Sequence, residues 1–175
     1  THSLFGLPLL ALLLGWLFYR FSPLKRFGYL TFLCACGIAC HIFLDLITSY
    51  GTMILAPFSD CRFSLDWVFI IDPFFTSIVA LPLLFGCWKG EPPKKLYRGA
   101  LFLLFAYLSV CAINHHRALE TVKKAAHTQG ITYLRADAFP QPFSPFRWMG
   151  IVEESMSTYR TWLGLSQKEK IQFQS

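Results

Sequence analysis

Residues 41–73 read HIFLDLITSYGTMILAPFSDCRFSLDWVFIIDP, and the architecture of the chain turns on how they are read. Four of the ten acidic residues, Asp45, Asp60, Asp66 and Asp72, fall in this stretch. Asp45 and Asp72 sit inside runs otherwise apolar enough to cross a bilayer. A carboxylate in hydrocarbon is costly, so it faces a partner, a metal or a wet cavity. The stretch is therefore expected to supply most of a metal site at one membrane face, with the remaining helices as its support.

Composition agrees with a membrane setting. The 175 residues are 54% hydrophobic and 15% charged, include 18 Phe, and have a mean hydropathy of +0.44. A soluble domain does not have that balance. The formal charge of +6 is then loop charge beside apolar helices, and no nucleic-acid-binding pattern is present. The chain opens Thr1-His2-Ser3 with neither Met nor a basic leader. Leu4 to Phe21 thus reads as a spanning helix and not a signal peptide, and the sequence as a fragment of a longer protein. Five of the six cysteines lie in apolar runs and only Cys61 in a loop, which is no disulfide framework.

Working outward, four apolar segments are expected to span: Leu4–Phe21, Phe27–Thr48, Leu65–Trp88 and Gly99–Asn114. The second is small in its middle, with Cys34, Ala35, Cys36, Gly37, Ala39 and Cys40, which suits close helix packing better than a thiolate site. In the third, Ser64 is read as an N-cap, Asp66 as a first-turn acid and Pro73 as a bend. The connections 20–26 and 89–98 are basic, whereas 49–64 carries only Arg62. The positive-inside rule puts the basic connections in the cytoplasm and the loop 49–64, with everything after Asn114, outside. A helix over 117–128 ending at Gly130 is expected next. Pro140, Pro142 and Pro145 then exclude regular helix, and the remainder reads as β-rich. The fold class so defined is an all-α multi-pass membrane helix bundle, residues 1–116, with a small α/β extracytoplasmic tail, residues 117–175.

His41-x-x-x-Asp45 carries the chemistry. At four-residue spacing both side chains share a helix face, and imidazole with carboxylate suits zinc and similar ions. The competing reading is a His–Asp hydrogen bond that tightens packing. His2 falls on the same expected side, as do Asp66, Asp72, His115 and His116. Asp72, beside the expected bend, and secondarily Asp66 are candidate catalytic groups. At most one of the adjacent His115 and His116 could join a shared metal. No serine-nucleophile elbow, Walker loop or dinucleotide loop occurs.

The strings THS, HIFLDLITSYGT, PFSDCRFSLDWVFIIDP and PQPFSPFRW resemble a bacterial inner-membrane family described as LexA-binding proteins with an inferred metal-dependent hydrolase activity. The resemblance covers nearly the whole chain. It implies a multi-pass inner-membrane protein distantly related to zinc-dependent phospholipase C and single-strand nucleases. Carried over residue by residue, His41 and Asp45 match the metal-binding His-x-x-x-Asp, and His2 matches the last histidine of the family's His-Arg-x-x-Thr-His-Ser string. The family's upstream His-Arg and acidic segment are absent from this sequence, and so are the ligands expected there.

The function expected is hydrolysis of a phosphoester or lipid-derived substrate at the outer face of the inner membrane. His2, His41 and Asp45 would hold a divalent ion, zinc by donor type, and Asp72 or Asp66 would orient water. Membrane lipid is the expected partner. The alternative is a non-enzymatic membrane protein whose polar cluster stabilises helix packing or binds a partner.

Overall fold

Asp72-Pro73 sets the architecture of the middle of the chain. The residue before a proline is held extended, and Asp72 has φ −104° and ψ 111°. Its carboxylate accepts from Phe75 N at 2.8 Å, so Asp72 caps a helix whose first residue is Pro73. There the missing N–H of proline removes nothing the helix needs. The computed structural model, which describes residues 3–90, 93–165 and 173–174, divides into two compact units, Thr1–Leu65 and Asp66–Ser175.

The first unit contains α1 (Gly6–Phe21) and α2 (Phe27–Ile47) packed on each other. They cross where Gly15 meets Thr31. A Cβ on Gly15 would lie 2.7 Å from Thr31 Cα, so only glycine permits this approach. The small-residue run of α2 is not the contact. Cys36 and Cys40 are exposed, and a Cβ on Gly37 would meet no described atom within 4 Å.

The second unit contains α3 (Pro73–Lys89), α4 (Lys94–Thr128), β1 (Arg135–Gln141), β2 (Ser144–Glu153) and β3 (Thr158–Gly164). The strands form one antiparallel sheet in the order β1-β2-β3. Pro140 lies on the edge strand β1, where a missing ladder donor is tolerated. Arg160 on β3 bridges to Gln174. The sheet packs on the last third of α4. Ala118, Val122 and Ala126 recur every four residues and bury against Ala138, Trp148, Val152 and Leu163. At Gly150 the helix and sheet come so close that a Cβ would overlap Val122 and lie 3.0 Å from Thr161 Cγ2.

This architecture corrects the expected all-α bundle of four spans. The described residues form four helices followed by a three-stranded antiparallel sheet. Among the described residues, only α2, with 21 residues, and α4, with 35, are long and apolar enough to cross a membrane. The helix α1 has 16 residues. The helix α3 has 17, because residues 65–72 are not helical. Ser64 is therefore no N-cap and Asp66 no first-turn acid; Asp66 has φ 54° in irregular backbone. Pro73 begins a helix instead of bending one. The expected break after Asn114 is also absent, since α4 runs unbroken from Lys94 to Thr128. Only 11% of the apolar window in each of α2 and α4 is buried, whereas a core helix of a soluble domain would be covered.

Gly150→Ala is expected to destabilise the sheet–helix unit by about 1–3 kcal/mol through overpacking. Trp148→Ala should cost about 3–5 kcal/mol as a large core truncation. Thermal unfolding of the full chain in detergent, followed by circular dichroism, measures both. A Gly150→Ala protein melting like wild type would contradict the close contact with Val122.

Candidate functional site

His41 and Asp45 stand in the last turns of α2, one turn apart. Their closest atoms, His41 Nε2 and Asp45 Oδ2, are 3.7 Å apart. Two ligands of one tetrahedral zinc, each at about 2.0–2.2 Å, are separated by roughly 3.3–3.6 Å. The pair thus fits two places of such a set with little movement. His41 is exposed, and the Asp45 side chain is about one-third exposed (32%).

The backbone after Asp45 folds back over this end of the helix pair. Thr48 donates through N–H and Oγ1 to the Asp45 carbonyl, at 3.2 and 2.8 Å, and so closes α2. Gly51 takes φ 76°, a conformation that costs glycine nothing. The chain then pairs Thr52 with Phe63 through bonds of 2.8 and 3.0 Å. Arg62 Nη1 donates to the Gly51 carbonyl at 3.2 Å. Leu4 N donates to the Ile54 carbonyl at 3.0 Å, tying the start of α1 to the same loop. Together these segments enclose a cavity of about 280 Å³ whose wall includes Asp45, Ser3, Tyr50, Thr52 and Arg62. Thr52 is buried at 4% exposure, and its hydroxyl has no hydrogen-bond partner among the described residues. One acidic residue, Asp45, and one basic residue, Arg62, thus line the same cavity.

The other expected site residues have different surroundings. His2 lies outside the described residues. Asp72, 8% exposed, uses one oxygen to cap α3 and the other to accept from Tyr107 Oη at 2.6 Å, which pins α3 to α4. Asp66 belongs to the same unit as Asp72, in the segment leading to α3. His115 is half-buried with its ring 5.6 Å from that of Trp148, and His116 is exposed. Among the described residues, no three His, Cys, Asp or Glu side chains form a group that could hold a metal ion.

Four positions escaped the sequence reading. Tyr107 partners Asp72. Asn114 donates to the Pro145 carbonyl at 3.0 Å, beside the Trp148 indole bond to the same oxygen at 3.2 Å. Thr52 and Arg62 line the cavity. A tyrosine or asparagine inside an apolar helix is the kind of polar group that finds a partner there; Arg62 carried the only signal for the loop, as its one cation.

Two exposed helices, α2 and α4, have the length and apolarity to cross a membrane, and polar residues gather at the end of α2. The family model of the YdjM inner membrane proteins matches residues 1–118, and the chain belongs to that family. It is also 25% identical over 130 residues to the uncharacterized protein YfhP of Bacillus subtilis (strain 168). That match covers 74% of this chain and 39% of YfhP, so the chain spans about two-fifths of that relative's length. No solved structure matches.

Asp72→Ala is expected to lower stability by about 1–2 kcal/mol for the lost cap, and Tyr107→Phe by about 1–3 kcal/mol for the acceptor left buried. The two losses should not add, because they share one interaction. Melting curves of the single and double variants in detergent give the coupling; strict additivity would mean that the two side chains act independently.

Proposed function

We propose that this chain carries part of a metal-dependent hydrolase site at the outer face of the inner membrane, acting on a phosphoester or a lipid-derived ester. The observation that carries the reading is the His41–Asp45 pair at 3.7 Å, with Asp45 in the wall of a cavity that Arg62 also lines. His41 and Asp45 would hold the ion, zinc by donor type, with His2 as a third ligand and further donors from the part of the family's pattern that this sequence lacks. Such an ion supplies Lewis acidity that brings the pKa of water toward neutrality and polarises the scissile ester.

The chain's own residues have distinct tasks. Arg62 attracts the anionic group of the substrate and orients it by paired N–H donors. The loop 49–64 narrows access of water to the Asp45 side of the cavity. Asp72 maintains the α3–α4 contact and stands as a positioning residue within its own unit. Orientation follows the loop charges on either side of α2: the basic connection 20–26 faces the cytoplasm, and the loop 49–64 faces out.

The second reading is a non-enzymatic membrane protein in which the pair secures the end of α2 or a partner. It is favoured by the presence of two donors, not three, at the described site. Metal content by mass spectrometry and hydrolysis of a chromogenic phosphodiester should both separate the readings. Wild type is expected to retain bound zinc and to lose most of it in His41→Ala/Asp45→Ala, with hydrolysis falling at least a hundredfold. Equal metal in the two proteins, with a lower melting temperature in the variant, would favour the non-enzymatic role.

A further inference from the structure

We propose that the groove between α3 and α4 binds one anionic phospholipid, with an acyl chain along the groove and the phosphate at Lys95 and Arg98. The groove encloses about 640 Å³ and its walls are almost wholly apolar, with Leu81, Pro82, Leu96 and Leu103 as the larger side chains. Gly99 and Ala100 make it deep. A Cβ on Gly99 would meet no described atom within 4 Å, so the missing side chain leaves open space.

Length and charge identify the occupant. Lys95 lies toward one end and Tyr107, fixed by its bond to Asp72, toward the other. Twelve residues of helix separate them, about 18 Å. Half of a hydrocarbon core is about 15 Å, so the groove accommodates one acyl chain within a single leaflet. The end at Lys95 is cationic. Lys94, Lys95 and Arg98 lie in the first turns of α4, and Lys94 and Arg98 share a face. In the sequence from Pro73 to Leu119, Glu91 is the single acid, set against Lys89, Lys94, Lys95, Arg98 and Arg117.

A protein occupant fits less well. The connection between α1 and α2 carries Lys25 and Arg26 beside Arg20, and a second copy would bring the same cations as the groove itself. Either would set cation against cation, whereas a phosphate complements the site. Each Lys or Arg near the membrane surface strengthens binding to an anionic headgroup about fivefold. This inference does not depend on the metal site.

The test uses the purified full chain in detergent with added phosphatidylglycerol or phosphatidylcholine, read by native mass spectrometry. Wild type should bind phosphatidylglycerol at least tenfold more tightly than phosphatidylcholine. Lys95→Ala/Arg98→Ala should reduce that preference at least tenfold. Gly99→Leu fills the groove and should abolish retention of both lipids. Leucine is the better helix former, and circular dichroism with a melting curve checks that the helix persists. Equal binding of the two lipids by wild type would overturn the proposal, as would wild-type lipid retention by Gly99→Leu. A lipid-independent dimer that Gly99→Leu disrupts would instead assign the groove to a second copy.

Discussion

A helix of 35 residues is about 52 Å long, and the hydrocarbon core of a bilayer is about 30 Å thick. α4 therefore cannot lie wholly in lipid, and its side chains divide accordingly. Leu101, Phe102, Leu103 and Phe105 are exposed apolar groups suited to acyl chains. From Ala118 onward the exposed surface is polar, and a narrow stripe of Ala118, Val122 and Ala126 lies beneath the sheet. Asn114 stands at the change of regime. Its amide would be costly in hydrocarbon, and it donates instead to the Pro145 carbonyl of β2.

The two acids that looked most alike have opposite fates. Asp72 is satisfied inside its own unit, one oxygen to the Phe75 amide and the other to Tyr107. It satisfies the rule that a buried carboxylate must be bonded, and it does so by holding helices in place. Asp45 is partly exposed, stands one turn from an imidazole, and lines a cavity that Arg62 also lines. The first arrangement resists change. The second leaves an acidic and a basic residue lining one cavity.

Much of this was legible in the residues. The apolar runs located four helices, and the four-residue spacing of His41 and Asp45 located the pair. Gly130, with φ 71°, follows the last helix as expected. The third helix is shorter than its apolar run suggests: Trp67–Ile71 is apolar yet lies outside it, and Asp72-Pro73 is itself a helix-start signal. His115-His116-Arg117 resembles a helix end by its polarity, yet α4 runs through it. No Gly or Pro lies between Gly99 and Gly130, and that absence was the better guide. Tyr107 and Asn114 bond to partners 35 and 31 residues away, and no local pattern encodes such pairings.

Among the described residues the sheet has three strands, with β1 and β3 flanking β2, and open edges invite pairing between molecules. Proline 140 interrupts the outer ladder of β1, and Gln174 pairs with Arg160 on the outer side of β3. Self-association through strand addition is thereby discouraged on both flanks. For a protein concentrated in two dimensions, that protection keeps neighbouring copies from zipping together into aggregates.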